Sequence, residues 1–188
     1  MELEVCFGEM QHGHMEQVGY DTYCKLLDEV IKNMQGIEVK EEQDVQIDLS
    51  ISSYIPDSFI ENSSQKIEIY QNIALCRTEE DIQNIIDEVI DRYGKLPVEL
   101  ENLLEIARIK ELARKSGVIK ITQRLENIVF YFTKKSMPVE KVDELLKQYG
   151  IAIRFSSGIE PYVTFKIGKK DDKEIISKVK EFLAIVER

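Results

Sequence analysis

The run from Thr78 to Pro97 constrains this chain more than any other segment, because it carries a start, a face and a stop for one helix. Thr78 can accept a hydrogen bond as an N-cap, and Glu79, Glu80 and Asp81 put negative charge at the positive end of the helix dipole. Asp81 stands three residues after the cap, where a capping box favours Glu or Gln, so a reciprocal box is only a weak expectation. Ile82, Ile85, Ile86, Val89, Ile90 and Tyr93 recur at helical spacing as one apolar stripe. Gly94 follows as a C-terminal stop, and Pro97 suits the first turn of the next helix, where its missing N–H costs nothing. The opposite face carries Glu80, Asp81, Asn84, Asp87, Glu88, Asp91 and Arg92, with Glu88, Asp91 and Arg92 adjacent at i, i+3 and i+4. By charge alone that is an ordinary solvated face.

The same periodicities order the rest of the chain. Residues 1–17 do not read as an autonomous element. The spacing predicts a helix that Asp21 could cap, with Tyr23, Leu26, Leu27, Val30, Ile31 and Met34 on one side, and residues 38–44 read as an acidic linker. Val45, Ile47, Leu49 and Ile51 alternate with polar residues as a half-buried strand does, until Pro56 breaks the run. Helices are expected over about Ser64–Cys76, 79–93 and Pro97–Lys115, the last with Leu100, Leu103, Leu104, Ala107 and Leu112 inward and Gly117 ending it. The period then falls to two. Val118–Ile121 and Asn127–Phe132 read as a hairpin turning at Arg124–Glu126. A helix from Pro138 to Tyr149 follows, with Val142, Leu145 and Leu146 inward. Strands over Ile151–Phe155 and Tyr162–Ile167 come next, then a helix from Asp171 to the end.

Helices cluster in the middle and strands late, which argues α+β: a central helical cluster with a small, mostly antiparallel sheet backed by helices. Residues 118–187 suffice for a four-stranded sheet with two helices on one face. No internal repeat is present.

Charge is unevenly distributed. Residues 1–60 hold 13 acidic and 3 basic side chains, which accounts for the whole net charge of −10, and residues 61–188 hold 22 of each. The acidic front disfavours nonspecific duplex binding. No apolar run is long enough to span a bilayer and no signal peptide is evident, so the expectation is a cytoplasmic protein without a membrane partner. Cys6, Cys24 and Cys76 are scattered and odd in number, as buried reduced thiols are.

Catalytic motifs are missing. There is no phosphate-cradling G-x-x-x-x-G-K-[ST], no G-x-G-x-x-G, no C-x-x-C and no H-E-x-x-H. His12 and His14, with Cys6 upstream, lack a fourth ligand and a rigid frame for zinc, so no metal is expected. No Ser or Cys has a histidine in a nucleophile setting, and no catalytic residue is assigned. A basic cluster of Arg108, Lys110, Arg114, Lys115 and Lys120 gives a candidate DNA contact. Cations at a helix C-terminus account for it as well.

Two segments together resemble one family. The first is Gly8-Glu9-Met10-Gln11-His12-Gly13-His14-Met15 followed by Val18-Gly19-Tyr20-Asp21-Thr22-Tyr23-Cys24-Lys25-Leu26-Leu27. The second is Asp87–Pro97 with Asn102–Lys110. The first resembles the exit from the second motor lobe of the bacterial transcription-repair coupling factors (the Mfd family), where a glutamine-glycine loop belongs to a translocation motif shared with RecG. The second resembles the hallmark of their C-terminal domain.

The resemblance implies a division into residues 1–37, a remnant of the translocation loop with the following helix, and residues 38–188, a C-terminal regulatory (TRCF) domain. It implies that Gln11 and Gly13 are translocation-motif remnants. The intact family member is an ATP- and magnesium-dependent DNA translocase that displaces stalled RNA polymerase and recruits UvrA for nucleotide excision repair. This chain has neither nucleotide-binding lobe, so no enzyme activity and no cofactor are expected of it, and DNA would be engaged by the parent motor lobes. The implied role is autoinhibition. The domain docks on a UvrB-like N-terminal module through Glu88, Asp91 and Arg92, masks the UvrA-binding surface and restrains the motor until released. Met1–Phe7 depart from the family's usual Arg-Gly-Ala-Gly lead-in.

Overall fold

The computed structural model describes residues 45–187. The expectations for Gln11, Gly13, His12, His14, Cys6, Cys24, the helix after Asp21 and the division at residue 37 lie outside them. The elements in chain order are β1 (Gln46–Asp48), α1 (Ser63–Leu75), α2 (Glu79–Tyr93), α3 (Val98–Lys115), β2 (Val118–Arg124), β3 (Asn127–Phe132), α4 (Val142–Tyr149), β4 (Ile153–Ser156), β5 (Tyr162–Lys166) and α5 (Asp172–Val186). Single 3-10 turns at Val139–Lys141 and Gly150–Ala152 flank α4. The class is α+β, as the sequence predicts.

The sheet has five strands in the order β1-β2-β3-β5-β4, antiparallel except that β1 runs parallel to β2. The four-stranded expectation therefore gains a strand from before the helical cluster. The helices α1, α2 and α3 lie in the connection between β1 and β2, which is what a parallel pair requires. β1 is three residues long, shorter than the alternation from Val45 to Ile51 suggests, and Ile51 N–H donates to the Leu49 carbonyl at 2.8 Å in a turn.

The core lies on one side of this sheet. Ile47, Ile121, Ile128, Phe130, Val163 and Phe165 point inward from the strands, and Ile153 joins them from β4. Phe182 of α5 stacks on Phe130 with ring centroids 3.9 Å apart, and Tyr149 tilts against Phe165 at 4.4 Å. Thus α4 and α5 cover the same face, because Phe165 touches Tyr149 from one side and Phe182 from the other.

α3 is the central strut. Leu100, Leu103, Leu104 and Ala107 are buried as expected, and so are Ile106, Ile109 and Ala113. These three form a second stripe at i, i+3 and i+7, so the helix packs against neighbours on more than one side. Its end is tied down by Ser116, whose Oγ reaches the Leu112 carbonyl at 2.7 Å and the Leu183 carbonyl of α5 at 3.2 Å. Gly117 follows at φ +69°, and a Cβ there would stand 2.6 Å from the Ser136 Cβ, so only glycine fits.

Local expectations are corrected in four places. Asp81 does close a capping box: its Oδ2 accepts from Thr78 N–H at 2.8 Å while Thr78 Oγ1 accepts from Asp81 N–H at 3.1 Å. The shorter acidic side chain reaches because the cap is extended. Pro97 is the N-cap of α3 instead of its first turn. Ile90, placed on the apolar stripe of α2, is 44% exposed, because the helix buries only the narrower line Ile82, Ile85 and Val89. Leu146 is likewise exposed and Leu145 alone of α4 is fully buried, since this two-turn helix turns one narrow line to the core.

Candidate functional site

The outer face of α2 carries the predicted docking residues. With Ile82, Ile85 and Val89 turned to the core, helical geometry sends Glu88, Asp91 and Arg92 outward, and all three are exposed. Arg92 Nη1 donates to Glu88 Oε1 at 2.7 Å across one turn, and that bond raises the guanidinium pKa above its usual value. The guanidinium also lies 5.2 Å from the Tyr93 ring centroid. Tyr93 in turn tilts against Phe59 at 5.9 Å, so the ring beneath the guanidinium is itself packed against a second aromatic. Asp91 stands beside this pair with its carboxylate in solvent. The face thus presents an ordered ion pair next to an exposed carboxylate, a geometry suited to a partner carrying both a cation and an anion. The contact with Glu88 does not exhaust the five guanidinium donors of Arg92.

The basic cluster is dispersed by the fold. Arg108 Nε and Nη2 donate to the Glu79 carboxylate at 2.6–2.9 Å, and Nη1 donates to Glu105 Oε1 at 2.6 Å. These contacts raise the arginine pKa and hold the Glu79 pKa below the usual carboxylate value. Glu105 is shared with Lys180 of α5 at 2.8 Å. Arg114 is ion-paired with Glu111. Lys110 is partly buried, Lys115 is exposed at the end of α3, and Lys120 sits on β2 with Nζ 5.8 Å from the Tyr131 ring centroid. Arg108 and Arg114 serve the helical cluster, and Lys120 belongs to the sheet.

The hallmark segment Asn102–Lys110 is largely structural. Asn102, 3% exposed, donates through Nδ2 to the Ser52 carbonyl at 2.9 Å and to Asp172 Oδ2 at 3.3 Å. Ser52 N–H donates to the same Asp172 oxygen at 3.1 Å. One buried amide therefore joins the loop after β1, the middle helix and the start of α5. Sequence reasoning missed this role. The available signal was a lone polar residue beside Leu103 and Leu104 on an otherwise apolar face.

Among the described residues no group of three or more His, Cys, Asp or Glu side chains could hold a metal ion. None of the helices there is long and apolar enough to cross a membrane. Cys76 is a buried free thiol, its pKa pushed up to about 11 chiefly by burial and then by the Asp81 carboxylate.

Comparison with known proteins agrees with this architecture. Residues 49–145 match the TRCF domain family. The transcription-repair-coupling factor of Staphylococcus haemolyticus (strain JCSC1435) is 36% identical over 143 residues, 75% of this chain and 12% of that protein. That of Staphylococcus aureus (strain USA300) is 36% identical over 138 residues, 72% of this chain and again 12% of the relative. The chain thus spans about an eighth of the length of these relatives. The fold is similar to the crystal structure of the C-terminal domain of a transcription-repair coupling factor, with a TM-score of 0.66 and 23% identity, covering 79% of this chain and 98% of the other. On the family match over half its length and these relatives, the chain belongs to the TRCF-domain family of the transcription-repair-coupling factors.

Proposed function

We propose that this chain is a non-catalytic regulatory domain at the C-terminal end of a transcription-repair coupling factor. It docks on the UvrB-like module of the same protein, covers the surface that UvrA uses, and restrains the DNA-translocating motor until released. The observation that carries this reading is the outer face of α2, where Arg92 and Glu88 are paired at 2.7 Å beside the exposed Asp91, within the residues that match the family. Exposed charge-assisted contacts of this kind give register and specificity more than affinity, and salt weakens them, which suits a clamp that must open. Nucleotide binding, magnesium, duplex DNA translocation and the contacts with RNA polymerase fall to the rest of the parent protein.

The test is binding in trans. The isolated chain is titrated against the UvrB-like module, with UvrA as competitor. The reading expects a complex that UvrA displaces and that Glu88→Arg with Arg92→Glu disrupts. A well-folded double variant that binds the module as the parent chain does would overturn it.

A further inference from the structure

The sheet has a second face, and it carries a distinct chemistry. Pleating sends alternate residues away from the core, and the strand register places them in rows. Lys120, Tyr131, Tyr162 and Ser156 form one row across β2, β3, β5 and β4. Thr122, Val129, Thr164 and Arg154 form the next, and Arg124, Asn127 and Lys166 a third. Val129 is buried yet stands apart from the hydrophobic core cluster, as a residue on the outward face must. Lys120, Arg124, Arg154, Tyr162 and Lys166 are exposed.

Two properties of this face point to a ligand. The Tyr131 and Tyr162 rings lie side by side on the two inner strands β3 and β5, in the row farthest from the β2–β3 turn, centroids 5.7 Å apart, with the Lys120 ammonium over the first. Cations stand on either side of them, and among the described residues Lys120, Arg124, Arg154 and Lys166 form no ion pair. Elsewhere Arg92, Arg108, Arg114, Lys170 and Lys180 are each engaged by a carboxylate. Thr122 adds a buried hydroxyl in the second row that meets no partner among the described residues. A groove of about 660 Å³ opens at the turn end, between Arg154, Thr164, Lys166 and Asn127. Glu126 also lines that groove, and Asp48 extends the second row at the β1 edge, so the positive charge is concentrated over β2 to β4.

We propose that this outward sheet face binds single-stranded nucleic acid. Aromatic rings on a sheet face offer a stacking platform that any base can use, and the cations on the same face neutralise the phosphates. A duplex has its bases stacked internally and presents no ring to the tyrosines. The basic cluster at the end of α3 is a different surface, sharing only Lys120 with this one.

The experiment titrates the full chain into fluorescein-labelled oligothymidylate at low salt and follows anisotropy, with a duplex and a labelled poly-glutamate peptide in parallel. The expected dissociation constant for the single strand is about 1–100 μM. Four neutralised phosphates give a slope of log affinity against log salt near about −3. Tyr162→Ala weakens binding by roughly tenfold, the size of one lost base stack. Arg154→Glu with Lys166→Glu abolishes it, while Lys115→Glu leaves it within about twofold, because Lys115 lies off this face. All these side chains are exposed, and unchanged thermal melting shows that each variant folds. Absence of single-strand binding, retention of it in the Arg154→Glu, Lys166→Glu variant, or indifference to Tyr162→Ala overturns the proposal. Capture of poly-glutamate without oligothymidylate also overturns it, and assigns the face to an acidic protein instead.

Discussion

The guanidinium of Arg108 grips the carboxylate of Glu79 from 29 residues away, with Nε 2.9 Å from both oxygens and Nη2 2.6 Å from Oε1. Glu79 opens α2 and Arg108 lies past the middle of α3, so the contact ties the two helices together at the surface. Glu79 is well exposed while Arg108 is mostly covered, so screening limits the gain. A double-mutant cycle on Glu79→Gln and Arg108→Gln in urea should return a coupling of about 0.5–1 kcal/mol. Arg108→Gln alone should cost more than Glu79→Gln, because it also strips Glu105 of a partner.

Acid should loosen the helical cluster. Arg108 depresses the Glu79 pKa, the backbone of Arg77 and the side chain and backbone of Thr78 depress that of Asp81, and Lys170 with the Asp171 N–H depresses that of Glu174. Each group has a lower pKa folded than unfolded, so its contribution is fully present above the unfolded value, near 3.8 for Asp and 4.5 for Glu, and is lost as pH falls through the folded value. Melting temperature should therefore stay level on the neutral side of those values and drop below them. Asp81→Asn should flatten part of the drop.

The hairpin turn between β2 and β3 holds Leu125 at φ +55°, with its side chain 93% exposed. An L-residue without a short polar side chain pays for that conformation and gains no burial in return. Leu125→Gly should raise stability by about 0.5–1 kcal/mol in chemical denaturation. A loss would mean the turn relaxes to another conformation in solution.

Asn102→Ala should lower stability by about 1–3 kcal/mol, the range for leaving buried polar partners unmatched. Ser52 and Asp172 are the partners it abandons. Amide exchange should speed up in the loop after β1 and at the start of α5 together, which a local packing defect in α3 alone would not produce.

Cys76 should resist thiol reagents. Its thiol is buried, its pKa is raised to about 11, and Sγ reaches the Asn72 carbonyl at 3.3 Å. In a Cys6→Ser, Cys24→Ser background at neutral pH, labelling by an aromatic disulfide should proceed only at the rate of global unfolding, and denaturant should accelerate it steeply.

Much of the scaffold was legible in the sequence. α2 begins and ends where Thr78 and Gly94 place its limits, and the hairpin turns within the expected Arg124–Glu126. Ile106, Ile109 and Ala113 were legible too, as a second stripe on α3, but one stripe already explained a helix. The proposed docking face was readable as an outward face, since the exposure of Glu88, Asp91 and Arg92 follows from the phase of Ile82, Ile85 and Val89. The pairing of Arg92 with Glu88 is local and follows from i, i+4 spacing.

By itself, then, the sequence determined periods, caps and stops, because each depends on residues within one or two turns or along one strand. Only the tertiary structure decided which charges are spent. Arg108 finds Glu79 and Lys180 finds Glu105, 75 residues away, because α3 is packed against both neighbours. It also decided that β1 joins the sheet edge, and that Lys120, Tyr131, Arg154, Tyr162 and Lys166 share one open face. A strand's own alternation says that two faces exist, while the register between strands says which side chains stand side by side on them.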